Sequence, residues 1–181
     1  EVPPAGAQQP DVERRERVQP RRGPAGEPRE LLGGPDRRRH RAGEQLGEAY
    51  RQINPQCTVP ALRTEGGLVL ADNPGIAAYL EAQFPEPPLL GTTPEEKAEI
   101  ASWNWRMEFE GLLAIAEALR NSAPAMANRA LPGAVNYPQI PELAQRGLAR
   151  VEQFFLLLND RLAGRDFIAT ERFSVADITA V

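Results

Sequence analysis

The chain holds one cysteine, Cys57, and one histidine, His40, and this scarcity removes most of the familiar side-chain chemistries. One thiol closes no internal disulfide and builds no cysteine metal cluster. One imidazole supports neither a zinc site nor a Ser/His/Asp triad, so no metal is expected. Cys57 lacks a second cysteine and a neighbouring base in sequence, which favours a bland small residue over a redox centre. Arg37-Arg38-Arg39 is the candidate for a nucleic-acid arm. Residues 1–40 carry nine Arg against seven acidic residues, net +2, and no aromatic to stack on bases, so nucleic acid is disfavoured as a partner. Asp72-Asn73-Pro74 has the makings of a helix start, with Asn73 as N-cap and Pro74 as the first helical residue. Trp103 and Trp105 sit in a helical pattern, where aromatics serve as core or subunit contacts more often than as pocket lining.

The elements around these residues follow from periodicity and breakers. Ala49–Ile53 suits a short helix that Asn54-Pro55 stops. Thr58-Val59-Pro60-Ala61-Leu62 and Leu68-Val69-Leu70 are β-prone runs joined by Glu65-Gly66-Gly67, the pattern of a hairpin. Pro60 cannot donate to a ladder and so belongs at the start or edge of its strand, where an X-Pro bond can also be cis. The helix opened by Asn73 has Ile76, Tyr79, Leu80 and Phe84 on one face and is stopped by Pro85-Glu86-Pro87-Pro88. A long helix capped by Thr93 is predicted to run without interruption to Asn121-Ser122, burying Ile100, Trp103 and Met107 and continuing through Glu110 and Leu113 toward Leu119. A second long helix is predicted from about Pro141 to Ala163, with Leu148, Val151, Phe154, Phe155, Leu158 and Leu162 on its buried side. Phe173-Ser174-Val175-Ala176-Asp177-Ile178 combines an N-cap Ser with an acidic residue at N3 and flanking apolar residues, the signature of a buried helix start.

The chain has 181 residues, 41% of them hydrophobic, and a formal charge of -4. That is enough for a core, and no apolar run approaches the roughly eighteen residues of a membrane span. A cytoplasmic protein without membrane contact is expected. Residues 1–41 differ from the rest. They are rich in Arg and Pro and poor in large apolar side chains, which leaves too little apolar surface to offset the entropy of ordering a backbone. Disorder is one expectation for them. Out-of-frame translation of a GC-rich gene is another: codons for Val18 to Pro24 can be chosen that, one nucleotide on, encode an acceptable amphipathic helix fragment.

Taken together, Ile53-Asn54-Pro55 through Thr58-Val59-Pro60-Ala61-Leu62, then Leu70-Ala71-Asp72-Asn73 entering its helix, then Phe173 to Ile178, resemble the cytosolic glutathione transferases. The resemblance covers roughly three quarters of the chain, from about Ala42 to Val181. Trp103-Asn104-Trp105-Arg106-Met107-Glu108 is similar to a microbial subgroup that also includes fungal members. The resemblance implies an α+β architecture. A partial thioredoxin-like α/β domain (42–90) would be followed by an all-α helical domain (91–181), apparently truncated, with residues 1–41 disordered or out of frame.

The resemblance also implies an activity and a site. Glutathione would be the co-substrate, its thiolate attacking a small hydrophobic electrophile. The backbone of Val59, beside a cis Pro60, would pair with the cysteinyl unit like a partner strand. The γ-glutamyl carboxylate would lie at the helix start near Asn73, and Asp72 would pair with the α-amino group. Asp72-Asn73 stands where the family usually has Gln or Glu followed by Ser, and Asn73 as a mere cap is the alternative. The family activates the thiol with a hydroxyl or amide near the first strand, which would precede Ala42, where no match is seen. A His near the end of the first long helix contributes in the subgroup. That place reads Arg120-Asn121-Ser122 here, so Ser122 and Asn121 are the catalytic candidates, with helix termination as their alternative. Trp103 and Arg106 are the candidates for the electrophile pocket. A homodimer is open. Without the first strand an exposed sheet edge beside the site is expected, and with it impaired turnover. A non-catalytic binding or assembly module of the same fold is the alternative function, and the Arg-rich nucleic-acid arm the remote one.

Overall fold

The computed structural model describes Leu31–Leu32 and residues 43–181; the expectations for the remaining N-terminal residues lie outside the described part. Three short strands form one antiparallel sheet in the order β1 (Leu31–Leu32), β2 (Ala61–Arg63), β3 (Val69–Leu70). The partners are Leu31↔Leu62 and Leu32↔Ala61 on one side of β2, and Leu62↔Leu70 and Arg63↔Val69 on the other. This corrects the expected open edge, because the flank of β2 at Ala61 and Leu62 is occupied by β1. The hairpin between β2 and β3 closes as the glycines predict, with Gly67 at φ 84 donating its N–H to the Thr64 carbonyl at 2.9 Å. Helix α1 (Glu48–Arg51) precedes the sheet. Thr58, Val59 and Pro60 precede β2 rather than joining it, and the Val59–Pro60 bond is cis.

Helix α2 (Asn73–Gln83) begins one residue earlier than its proline suggests. Asp72, not Asn73, is the N-cap: its backbone is extended and its Oδ1 accepts the Gly75 N–H at 2.7 Å. Pro74 is therefore the second helical residue. It fits there because neither of the first two helical N–H groups has an intrahelical partner.

The helical part consists of α3 (Pro94–Arg106), a π-helical segment (Met107–Leu112), α4 (Leu113–Ser122), α5 (Pro141–Leu162) and the short α6 (Val175–Thr179). Thr93 and Glu96 cap α3 reciprocally. The expectation of one uninterrupted helix fails at Met107, where the π segment inserts a residue and rotates the buried face. Met107, Gly111, Ala114, Ala118 and Asn121 then face inward, while Leu113 and Leu119 are 47% and 53% exposed. A second correction concerns α5, whose buried residues are Ala144, Gly147 and Phe154, while Leu148 and Phe155 are 60% and 56% exposed. The reason is close approach. A Cβ on Gly147 would lie 2.5 Å from the Ala118 nitrogen, and one on Gly111 would lie 2.6 Å from the Phe154 ring. Small residues define the α4–α5 seam, and the larger apolar ones are displaced to its flanks.

Ile100, Met107, Phe154, Ile168, Ala169 and Ala176 form the helical core. Asp177, buried at the start of α6, accepts the Ser174 N–H and hydroxyl at 2.8 and 3.0 Å and the Ile168 N–H at 2.8 Å. The predicted cap of that helix is thus present and also ties the preceding loop. Three hydrogen bonds fix the linker between sheet and helices. Glu81 of α2 accepts the Leu89 and Leu90 N–H groups at 3.2 and 2.9 Å, and the Val175 N–H donates to the Leu89 carbonyl at 3.0 Å.

Candidate functional site

The β2–β3 hairpin gathers four of the sequence-predicted site residues. In an antiparallel pair the start of one strand lies beside the end of the next, and continuing the register Leu62↔Leu70 outward sets Pro60 opposite Asp72. Val59-Pro60 and Asp72-Asn73 therefore share one end of the sheet. Val59 is 38% exposed. Neither its N–H nor its carbonyl is bonded by a described residue.

The loop leading to Val59 is held from beneath. The Thr58 carbonyl accepts the Tyr50 hydroxyl at 2.7 Å and Asn54 Nδ2 at 2.8 Å, and Nδ2 also reaches Thr58 Oγ1 at 2.9 Å. Asn54 is buried, and its Oδ1 accepts the Gln56 N–H at 3.1 Å. Burial pushes the Tyr50 hydroxyl above its ordinary pKa, with the Asn54 hydrogen bond acting in the opposite direction. Cys57 lies in this loop with φ 58, buried, its thiol turned to the Pro55 carbonyl at 3.7 Å. Its positive φ gives a physical reason why glycine suits this position. No second thiol or base approaches it among the described residues.

At the other side of the site, the N-terminus of α2 has fewer free donors than an average helix start. Gly75 N–H is taken by the Asp72 side chain, Ile76 N–H donates to the Asp72 carbonyl at 3.1 Å, and Pro74 has none. What remains is Asn73, with its backbone N–H and its side-chain amide, neither bonded by a described residue. The capping carboxylate of Asp72 keeps one oxygen for another partner.

Asn73 also lines a cleft of about 920 Å³ between α2, the linker, α3 and α6. Its walls are mainly apolar, with Glu81, Lys97, Asn104, Trp105 and Glu108 among the lining residues. Asn104 is fixed there by donating to Glu108 at 3.0 Å and accepting from the Thr179 hydroxyl at 2.6 Å. The other predicted residues are not on this wall. Trp103 packs on the helical core with two guanidinium groups over its ring, Arg106 at 4.8 Å and Arg161 at 4.4 Å from the centroid. Arg106 also pairs with Glu110 at 3.3 Å. Asn121 and Ser122 end α4: Asn121 donates to the Glu117 carbonyl at 2.8 Å and accepts the Ile140 N–H at 3.0 Å, and Ser122 donates to the Ala118 carbonyl at 2.8 Å. Sequence reading overlooked Tyr50, Asn54, Asn104 and Glu108. Only the Tyr50–Asn54 spacing, one helical turn, carried a signal.

Known proteins share this arrangement. The family model for the glutathione S-transferase N-terminal domain matches residues 29–83, beginning ahead of Ala42. A solved glutathione S-transferase domain-containing protein from Marinobacter aquaeolei VT8 is similar at 31% identity, over 77% of this chain and 65% of that one, with a TM-score of 0.68. The chain is similar to glutathione transferases. Gtt2 from Saccharomyces cerevisiae is also similar, 28% identical over 77% of this chain and 64% of Gtt2, with a TM-score of 0.67. A maleylacetoacetate isomerase from Pseudomonas aeruginosa is 43% identical over 56 residues, 31% of the chain and 26% of the isomerase. The chain spans 26%, 55% and 58% of the lengths of the first three curated relatives it matches. The architecture of these transferases, a thioredoxin-like part followed by helices, is the one described above.

Proposed function

We propose that the chain binds glutathione at the shared end of the β2–β3 hairpin and presents its thiolate to a small hydrophobic electrophile. The observation carrying this reading is the pairing of an exposed, unbonded Val59 backbone with Asp72-Asn73 across the register. Glutathione is an extended anionic tripeptide. Its cysteinyl N–H and C=O match the free C=O and N–H of Val59, as in strand addition. The γ-glutamyl α-carboxylate fits the two donors of Asn73, and the α-ammonium fits the unused Asp72 oxygen. A negative cap side chain at a helix start disfavours a lone anion but suits this zwitterionic end, where the ammonium takes the carboxylate and Asn73 takes the anion.

The adjoining cleft is the place offered to the electrophile, with Trp105 and Asn104 nearer to it than Trp103 and Arg106. In the reaction the sulfur forms a bond to an electrophilic carbon while a leaving group departs or a double bond opens. Asn121 and Ser122 stay as candidates for holding a water near the sulfur, although their hydrogen bonds are committed to the end of α4. The reading also includes a homodimer, a cytoplasmic location, and the units 42–90 and 91–181. No helix among the described residues is long and apolar enough to cross a membrane.

Two measurements test this. Retention on immobilised glutathione with elution by free glutathione is expected, and conjugation of a generic aromatic electrophile separates the two functional readings. Turnover above the uncatalysed rate supports a transferase. Binding without turnover supports a non-catalytic module, and absence of binding overturns both.

A further inference from the structure

The hydrogen bonds beneath Val59 do more than hold a loop. Thr58 C=O and Val59 N–H belong to one peptide group, and in a trans peptide these two bonds point in opposite directions. Among the described residues only Val59–Pro60 and Glu86–Pro87 are cis, so the Thr58–Val59 peptide is trans. The carbonyl end receives two donors from the interior, Tyr50 Oη at 2.7 Å and Asn54 Nδ2 at 2.8 Å. Two donors occupy both lone pairs of that oxygen and fix the rotation of the peptide plane. The N–H end is thereby turned outward, toward the open side where Val59 is exposed.

The loop needs such a hold. Cys57 has φ 58, a left-handed conformation that side chains larger than glycine seldom adopt. Asn54 supports the turn twice more, accepting the Gln56 N–H with its side chain and the Cys57 N–H with its carbonyl at 3.0 Å. Tyr50 belongs to α1, so the clamp also links that helix to the start of β2.

We propose that Tyr50 and Asn54 are positioning residues that aim the Val59 amide at the cysteinyl carbonyl of bound glutathione. The inference rests on the glutathione reading above. Neither side chain touches the ligand; both act through the Thr58 carbonyl. Freeing one of the two donors lets the peptide plane rock and weakens the hydrogen bond that Val59 gives.

The test is calorimetric titration of the full chain with glutathione, for wild type, Tyr50→Phe and Asn54→Asp, with the Val59 and Asn73 amide resonances followed in parallel. Tyr50→Phe removes the hydroxyl alone. It is expected to weaken binding about fivefold, the scale of one neutral hydrogen bond, and to halve the ligand-induced shift of Val59 while that of Asn73 persists at saturation. Asn54→Asp keeps the acceptor for Gln56 and loses the donor to Thr58; it gives the same pattern and serves if Tyr50→Phe does not fold. Wild-type affinity with an undiminished Val59 shift in both variants overturns the positioning role and leaves the binding reading intact. Equal loss of both shifts reports general unfolding of the site and also overturns it. No saturable binding by wild type overturns both the role and the reading.

Discussion

In the proposed binding mode Asp72 has two duties that a single substitution can separate. Its Oδ1 caps α2 through the Gly75 N–H at 2.7 Å, and the proposal assigns its second oxygen to the ligand's ammonium. Asp72→Asn keeps a capping oxygen and removes the charge, so the melting temperature is expected to stay within a few degrees of wild type. Glutathione affinity is expected to fall about fivefold, the upper range for an exposed ion pair. Asp72→Ala loses the cap as well and costs about 1 kcal/mol of stability, measured by urea denaturation. The sequence placed both residues at this helix start but read Asn73 as the cap. The two registers differ by one residue, and local propensity does not separate Asp from Asn.

Glu96 gives the clearest pH signature. Hydrogen bonds from Thr92, together with one from Thr93 and from Arg172, hold its carboxyl at about 2, against an ordinary 4.5. Its folded pKa is depressed, so the unfolded chain binds more protons between these values. The contribution is complete above about pH 4.5 and lost as pH falls toward 2. Glu96→Gln is expected to flatten the acid limb of stability across that window, read by thermal melts at stepped pH. An unchanged acid limb contradicts the assignment.

At the scale of elements, periodicity revealed the helices but misjudged their faces. Leu113, Leu119, Leu148 and Phe155 fit an apolar stripe by spacing, yet they flank a seam made by Ala114, Ala118, Ala144 and Gly147. Two physical causes were invisible in the sequence. One is the π segment, which shifts the register after Arg106, with the Phe109 carbonyl accepting Arg150 Nη2 at 2.6 Å. The other is the close approach of α4 to α5, which rewards a missing side chain more than a large one. Gly147→Ala tests this directly. In an exposed helix alanine would stabilise by about 1 kcal/mol. Here the new Cβ meets the Ala118 nitrogen at 2.5 Å, the Ala114 carbonyl at 2.9 Å and the Ala118 Cα at 3.0 Å. Backbone cannot yield as a side-chain tip does, so a net loss of about 2 kcal/mol is expected in denaturant unfolding. A gain in stability would refute the close seam.

For the molecule as a whole, the elements most readable from sequence were those with local chemistry: the Gly67 turn, the Thr93 cap and the Asp177 cap all stand where their residue types place them. The pairing of β1 with β2 is non-local and left no local trace. Exposed apolar side chains remain on the helical surface. Trp105 and Phe109, 61% and 46% exposed, stack at 5.3 Å, and Leu112 is 52% exposed. Such a patch is a contact surface more often than a solvent face, which supports the homodimer in the proposal. Sedimentation velocity is expected to give a dimer that Trp105→Glu converts to monomer, whereas a monomeric wild type would remove that part of the reading.

The binding account stands on a zwitterionic end recognised by Asp72 and Asn73 and a peptide unit recognised by Val59. Calorimetric titration with glutathione and with its N-acetyl derivative tests it most directly, because acetylation removes the ammonium and leaves the cysteinyl unit intact. The account predicts saturable binding of glutathione by the 181-residue chain, weakened about fivefold by acetylation in wild type and unaffected by acetylation in Asp72→Asn. Equal affinity of wild type for the two peptides, or no saturable heat with either, would contradict it.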